Sequence, residues 1–342
     1  MISDTEFSGK MYGMSLLCAL MVVAMHIGGG RAGELSGLVM QLIGNGICRV
    51  AVPFFFFAAG FWLSRHVEEP HWYGRELRKR ILSILVPYLL CSFFWLLFEL
   101  VEILFANARA CRPLLANFET GWRFLRYIGF YPFDYPSLRP LWFLRALLVM
   151  FVLSPVILFL LRKSAIAFLA TSFCTAVYCN SFLEVFSSVW HIVGTVFSAV
   201  GLFYFSAGMF CGLHKRVFVL MLSCFAAKFT LAIGIIGVSL PKFCNNIRDL
   251  VSAFNDLSVP FLVVGFLSMV PCSGVLQRFA SYSFPIYLTH MLPITVFACA
   301  VKQTGGIALL VKYLFAVFVS SMFVVVLRRY CPRFAFLIFG GR

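Results

Sequence analysis

The chain has 342 residues, of which 62% are hydrophobic and only 12% are charged. Soluble domains carry about 25% charged residues, and a water-soluble fold could not bury this much apolar surface. The composition therefore excludes a soluble protein and predicts an integral membrane protein. The net charge of +15 is scattered over short polar segments, so nucleic-acid binding is not expected.

Apolar segments of roughly 17 to 25 residues, the length that crosses a bilayer as a helix, follow one another along the chain. We place ten of them, near residues 11–28, 46–64, 80–106, 139–161, 165–182, 192–212, 217–238, 257–271, 282–301 and 306–327. No polar stretch between them is long enough to form a soluble domain. We therefore predict one all-α membrane domain over residues 1–342, a bundle of about ten transmembrane helices.

Lys and Arg are unevenly distributed between the alternate connections of these segments. The richer set comprises Lys10, Arg65, Arg75, Arg78, Lys79, Arg80, Arg162, Lys163, Lys215, Arg216, Arg278, Arg328, Arg329, Arg333 and Arg342. Cytoplasmic loops carry the excess of Lys and Arg, so we assign this set to the cytoplasm. Both termini are then cytoplasmic, which requires an even number of spans and agrees with ten.

His26 ends the first apolar segment and Arg49 opens the second, RVAVPFFFFAAGFWLS, so both lie at the same, outer end of the predicted bundle. An ionisable side chain at membrane depth is costly, and this makes each residue a candidate for a functional site. Each also has a structural alternative. His26 could bond a backbone carbonyl at its helix end, and Arg49 could extend its guanidinium to the lipid headgroups.

Three later motifs follow in order along the chain. The sequence RKRILSILVPY (residues 78–88) leads into the third span, PLWFL (140–144) opens the fourth, and SFPIYLTH (283–290) lies in the ninth. With His26 and the Arg49 segment, this series resembles acyltransferase family 3, the membrane O-acetylases of surface polysaccharides and related molecules. The resemblance covers nearly the whole chain.

The resemblance implies an acyl transfer with His26 as the general base, since a neutral His is suited to take a hydroxyl proton. Arg49 and the indole N–H of Trp142 are then candidate donors to the tetrahedral oxyanion. Trp142 fits an interfacial aromatic belt equally well. The family's cation eleven residues before this His is Ser15 here, so Lys10 or the cluster at residues 78–80 could replace it.

Two further sets of residues receive roles from the same resemblance. Binding of the acyl-CoA phosphates at the cytoplasmic mouth is assigned to Arg78, Lys79 and Arg80, which could equally be topogenic charges. Lining of the path between donor and acceptor is assigned to Ser283, Tyr287 and His290. Tyr287 and His290 are three residues apart and share a helix face, and we expect His290 near the middle of the membrane.

We therefore predict an O-acyltransferase, most simply an O-acetyltransferase, of the inner or plasma membrane. It would move the acyl group from cytoplasmic acyl-CoA to a carbohydrate or glycolipid hydroxyl at the outer side. The expected partners are the lipid bilayer, acyl-CoA and the acceptor, with no metal and no permanently bound cofactor. The alternatives are a transporter or flippase of a glycan intermediate or small solute, and a non-catalytic family member. Transporters often contain internal repeats, and none is evident here.

Two expectations concern the outer side of the membrane. Cys111, Cys179 and Cys244 are near enough to the outer face to form a disulfide, without a preferred pairing. The connection 107–138, which contains Trp122, Tyr127, Tyr131 and Tyr135, is a candidate cap over the acceptor site.

Overall fold

The fold is that of a computed structural model, which describes residues 3–27, 43–44, 46–109, 138–181, 198–239, 248–301 and 306–341. These ranges are helical apart from short turns, and no strand occurs within them. The prediction of an all-α membrane protein is thereby confirmed. The proposed cap residues, Cys111 and Cys244 lie outside the described residues, and nothing is described of the Cys179 side chain.

The described part of the first half of the chain contains five helices. Ser3 begins the first of them, because its hydroxyl accepts a hydrogen bond from the Glu6 N–H (3.1 Å) and caps the helix. The helices are α1 (Asp4–His26), α2 (Ala51–Ser64), α3 (Trp72–Arg80), α4 (Val86–Arg109) and α5 (Trp142–Ser181). A 3-10 turn, Ile47–Val50, precedes α2, a π-helical segment, Ile81–Leu85, joins α3 to α4, and a second 3-10 turn, Arg139–Leu141, precedes α5.

The second half contains nine shorter or bent helices within the described ranges. They are α6 (Ala199–Leu213), α7 (Lys215–Ser223), α8 (Phe225–Ser239), α9 (Arg248–Met269), α10 (Gly274–Ala280), α11 (Ser283–Thr289), α12 (Met291–Ala300), α13 (Gly306–Tyr330) and α14 (Pro332–Ile338). The axes of α6 and α7 differ by 98°, and those of α11 and α12 by 43°.

The predicted spans are only partly continuous helices. Among the described residues, five helices are long and apolar enough to cross a membrane, or up to seven if each bent pair is one span. The fourth and fifth predicted spans form the single helix α5, interrupted by non-helical backbone at Ser164 (φ −160°, ψ 81°). The seventh divides into α7 and α8, and the ninth bends at His290. The count of ten stays a prediction.

Close packing of α2 against α6 forms the centre of the bundle. A Cβ on Gly208 would lie 2.0 Å from the Phe57 carbonyl oxygen, and one on Gly60 would lie 2.0 Å from that of Phe205. Small residues of this kind let helices in lipid approach backbone to backbone. The phenylalanine run at residues 54–57 belongs to this core. Phe54 and Phe56 are fully buried within it.

Two ion pairs involve cations that were assigned to the cytoplasm. Lys215, at the start of α7, pairs with Asp4 at the start of α1 (2.6 Å), and Arg162 pairs with Glu68 in the connection between α2 and α3. We call the end of the bundle at which Lys215 and Arg162 lie the basic end. Which side of the membrane it faces stays a prediction, as does the location of both termini.

Candidate active site

His26 lies half-buried at the C-terminal end of α1, opposite the basic end. The carbonyls of a helix end lack intrahelical partners and carry partial negative charge. Here a cation from another helix satisfies one of them, because the Lys312 ammonium of α13 donates to the Ile27 carbonyl (2.9 Å). The backbone next to His26 is thus held by α13.

His290 is fully buried at the bend between α11 and α12, and its ring centre is 5.2 Å from that of His26. Its Nδ1 is 2.7 Å from the Tyr287 carbonyl oxygen and 3.3 Å from that of Ile286. Its Nε2 is also buried and has no hydrogen-bond partner among the described residues. The bend between α11 and α12 thus places His290 beside His26, and its position near the middle of the membrane stays a prediction.

Tyr287 connects α11 to the start of α5. Its buried hydroxyl donates to the Pro140 carbonyl in the 3-10 turn Arg139–Leu141. The charge of Arg139, in the same turn, is close enough to act on the His26 ring. Trp142 follows as the first residue of α5 and is half-buried. Three elements distant in sequence thus meet here, the end of α1, the bend after α11 and the start of α5.

Arg49 lies half-buried in the 3-10 turn Ile47–Val50, which packs against α1 and α9. Gly44, three residues before this turn, lies in contact distance of the end of α1, because a Cβ on it would lie 3.9 Å from the Ala24 carbonyl oxygen and 4.0 Å from the Met25 Cα. The turn that contains Arg49 packs against α1, and the position of the Arg49 side chain beside His26 stays a prediction. Its action on an oxyanion stays a prediction, as does that of Trp142.

The predicted donor-binding cations share one buried carboxylate. Lys79 and Arg80 bond Glu76 at 2.7 Å and 3.2 Å, while Arg78 is exposed. The Arg80 guanidinium also lies over the Phe151 ring, 4.7 Å from its centre. Phe151 is nine residues into α5, which places Arg80 about 13 Å along that helix from Trp142. The cluster and His26 are therefore at different levels of the bundle.

Ser15 and Ser283 bond carbonyls of their own segments, whereas Lys10 bonds the end of another helix. The Ser15 hydroxyl donates to the Met11 carbonyl (2.9 Å), and that of Ser283 donates to the Ala280 carbonyl (2.8 Å). The Lys10 ammonium is buried and donates to the carbonyls of Ser268 (3.1 Å) and Val270 (2.8 Å), where it caps the end of α9. Lys10 therefore has a structural role at the end of α9, and replacement of the family's cation by Lys10 or by residues 78–80 stays a prediction. Lining of the path by Ser283 stays a prediction.

Three cations near the site were missed from the sequence. Lys312 caps the C-terminal end of α1 by a hydrogen bond. Arg139 interacts electrostatically with His26, and Arg145, three residues into α5, interacts electrostatically with buried Tyr88. Lys312 and Arg145 interrupt predicted spans, and the rule that intramembrane charges mark functional sites would have found both. Within the described ranges, no group of three or more His, Cys, Asp and Glu side chains could hold a metal ion.

Comparison with known proteins gives one match. A family model described as an acyltransferase domain, of acyltransferase family 3, matches residues 13–329. This range contains each motif on which the resemblance was based, and the resemblance is confirmed. No curated protein and no solved structure matches the chain.

Proposed function

Because the chain belongs to acyltransferase family 3, we propose that it is a membrane O-acyltransferase with acyl-CoA as donor and a carbohydrate or glycolipid hydroxyl as acceptor. Acetyl is the acyl group that we propose first, and the inner or plasma membrane is the proposed location. The observation that carries this proposal is the pairing of His26 with His290 inside the matched domain, with ring centres 5.2 Å apart.

In the proposed reaction the acceptor hydroxyl oxygen attacks the carbonyl carbon of the thioester. The imidazole of His26 takes the hydroxyl proton as the C–O bond forms, a step typically worth about 10²- to 10⁴-fold in rate. The tetrahedral oxyanion then collapses, the C–S bond breaks, and the proton passes to the leaving thiolate. The products are an O-acyl ester and free CoA thiol, and His26 returns to its neutral form.

Cations near His26 are the proposed source of oxyanion stabilisation. Arg139 already acts on the His26 ring, and the turn of Arg49 packs against α1. A positive charge fixed in a medium of low dielectric stabilises developing negative charge more strongly than the same charge in water. The partial burial of His26 therefore favours an electrostatic contribution from these arginines.

The donor is proposed to enter from the basic end. Residues 78–80 offer three cations between the basic end and the level of Trp142, and Glu76 neutralises only part of their charge. Phosphates of CoA would bind this cluster, and the flexible thioester arm would extend toward His26. The separation of the two sites along α5, about 13 Å, is within reach of an extended arm of that kind.

The test is acyl transfer by the purified full-length protein in detergent or liposomes, with acetyl-CoA labelled in the acetyl group and a cell-envelope fraction. We expect label on glycan together with an equal amount of free thiol. His26→Ala should lower transfer at least about 10²-fold while leaving insertion intact. The matched control is His214→Ala, an exposed helix-end histidine in the bend between α6 and α7, which should retain activity.

Three results would contradict parts of the proposal. Full activity of His26→Ala would exclude His26 as the base. Binding of acetyl-CoA by calorimetry, without transfer of acetyl or longer acyl groups, would indicate a non-catalytic member. Absence of any acyl-CoA binding would remove the donor assignment and favour transport.

A further inference from the structure

We infer that His290 is a positioning residue that fixes the tautomer of His26. The inference rests on the proposed function in one respect only, namely that His26 acts as the base. It assigns to His290 a role different from lining a path, and it follows from which groups surround the two rings.

The contacts of His290 determine its own tautomer. Both groups within hydrogen-bond distance of Nδ1 are backbone carbonyls, those of Tyr287 and Ile286, and a carbonyl can only accept. The hydrogen of neutral His290 must therefore be on Nδ1. Nε2 then carries a lone pair and can only accept, which makes it a buried acceptor without a partner among the described residues.

The His26 ring is the group positioned to satisfy that acceptor. Each ring nitrogen lies about 1.1 Å from its ring centre, so with 5.2 Å between the centres two nitrogens turned to face each other would be about 3 Å apart. This is an ordinary hydrogen-bond length. The rings are inclined by 37°, and a small rotation of His26 would align one of its N–H groups with His290 Nε2.

Burial assigns different roles to the two histidines. His290 is fully buried, and its Nδ1–H is held by backbone carbonyls, so an acceptor molecule cannot reach that ring without moving α11. His26 is only partly buried and lies at a helix end. The accessible imidazole is therefore the base, and the inaccessible one orients it.

The consequence for chemistry is that His26 presents a lone pair in one defined direction. If one His26 nitrogen donates its hydrogen to His290, the other nitrogen must be the acceptor for the substrate hydroxyl proton. A base in the wrong tautomer presents N–H to the hydroxyl and cannot take its proton. In the Ser-His-Asp triad, loss of the group that fixes the histidine tautomer lowers kcat by about 10⁴-fold.

The first measurement is ¹⁵N NMR of histidine-labelled full-length protein in detergent micelles, without donor or acceptor. Protonated and unprotonated ring nitrogens have widely separated shifts, and loss of signals in His26→Ala and His290→Phe assigns the two rings. We expect His290 with hydrogen on Nδ1 only, and His26 as a single tautomer. Hydrogen on His290 Nε2, or a tautomer mixture of His26 in the unmodified protein, would overturn the inference.

The second measurement repeats the spectrum on two variants. His290→Phe keeps a planar ring but removes the acceptor, and His26 should then become a mixture of tautomers. His290→Gln keeps a carbonyl acceptor and should retain a single tautomer, which provides a test if the Phe variant does not fold. An unchanged His26 in His290→Phe, or a mixture in folded His290→Gln, contradicts the assigned role. These spectra do not depend on acyl transfer, so they separate failure of this inference from failure of the proposed function.

The kinetic readout applies if transfer is observed. His290→Phe should lower kcat by about 10²- to 10⁴-fold with the donor KM unchanged, and His290→Gln should recover part of the loss. Thr289→Val is the matched control, because among the described residues the Thr289 hydroxyl bonds the Pro285 carbonyl of its own helix (2.9 Å) and no other group, and it should retain kcat. A raised donor KM at unchanged kcat in His290→Phe would instead indicate a residue that lines the path.

Discussion

Replacement of Lys312 with methionine tests whether the held end of α1 matters for catalysis. Methionine keeps the length and much of the apolar stem of lysine but cannot donate to the Ile27 carbonyl. The backbone one residue beyond His26 then loses its connection to α13. We expect His26 to occupy its productive position for a smaller fraction of the time, and kcat to fall while donor binding is unaffected.

The size of the effect follows from the bond that is lost. A hydrogen bond from a charged group contributes about 1.5–3 kcal/mol, and a cation at a helix C-terminus adds about 0.3–1 kcal/mol. Lys312 is only partly buried, so the lower end of the range applies. About 1.4 kcal/mol corresponds to a tenfold change in rate. We therefore expect kcat to fall about tenfold in Lys312→Met and to recover largely in Lys312→Arg.

Lys10→Met is the matched control, because Lys10 also caps a helix end but at the opposite side of the bundle. It is more buried than Lys312 and makes two carbonyl bonds rather than one, so its loss should lower the Tm further. It should nevertheless leave kcat unchanged. The assays are thermal unfolding in detergent and acyl transfer at saturating donor.

The two variants should therefore rank in opposite orders in the two assays. If kcat instead falls in proportion to the loss of Tm in both, Lys312 contributes only to stability. The reasoning about the end of α1 would then be refuted, whatever the acceptor proves to be.

Further predictions concern donor binding, helix packing and the Tyr287 bond. Arg80→Ala should raise the donor KM more than it lowers kcat, with Arg80→Lys restoring most of the affinity; an unchanged KM in initial-rate measurements would return Arg80 to a topogenic role. Gly208→Leu should abolish the monodisperse peak of folded protein in size-exclusion chromatography, because even the Cβ at this position would lie 2.0 Å from the Phe57 carbonyl oxygen. Gly274→Ala should keep that peak, because no atom of the described residues lies within 4 Å of a Cβ on Gly274. Tyr287→Phe should lower the free energy of unfolding by about 1–3 kcal/mol, because the Pro140 carbonyl loses its hydrogen-bond donor. An unaltered Tm would show that this bond does not stabilise the fold.

Much of the fold could be predicted from local sequence. Lipid offers no hydrogen bonds to the backbone, so long apolar segments must be helical, and the first two spans were placed close to where α1 and α2 occur. The positions of the breaks were harder to predict. Ser164 and His290 lie in or between apolar segments whose sequence predicts continuous helix. Their backbone conformation depends on the packing of neighbouring helices rather than on local helix propensity.

The candidate site divides in the same way. His26 could be found from sequence because an ionisable residue at the end of an apolar run is conspicuous, and the motifs supplied its expected role. Lys312 and Arg145 carried the same signal within their spans, and their partners, the Ile27 carbonyl and Tyr88, could not be inferred from it.

The sequence by itself determined that the protein is a helical membrane protein with its cations concentrated in alternate connections, and it identified the family. Only the tertiary structure decided that His290 faces His26, that Lys312 holds a carbonyl 285 residues away and that Tyr287 bonds one 147 residues away. The reason is physical. Apolar helices in lipid gain no hydrophobic free energy from choosing one neighbour over another, so their partners are selected by shape, small residues and a few polar bonds. These are properties of two surfaces together, and neither segment contains them alone.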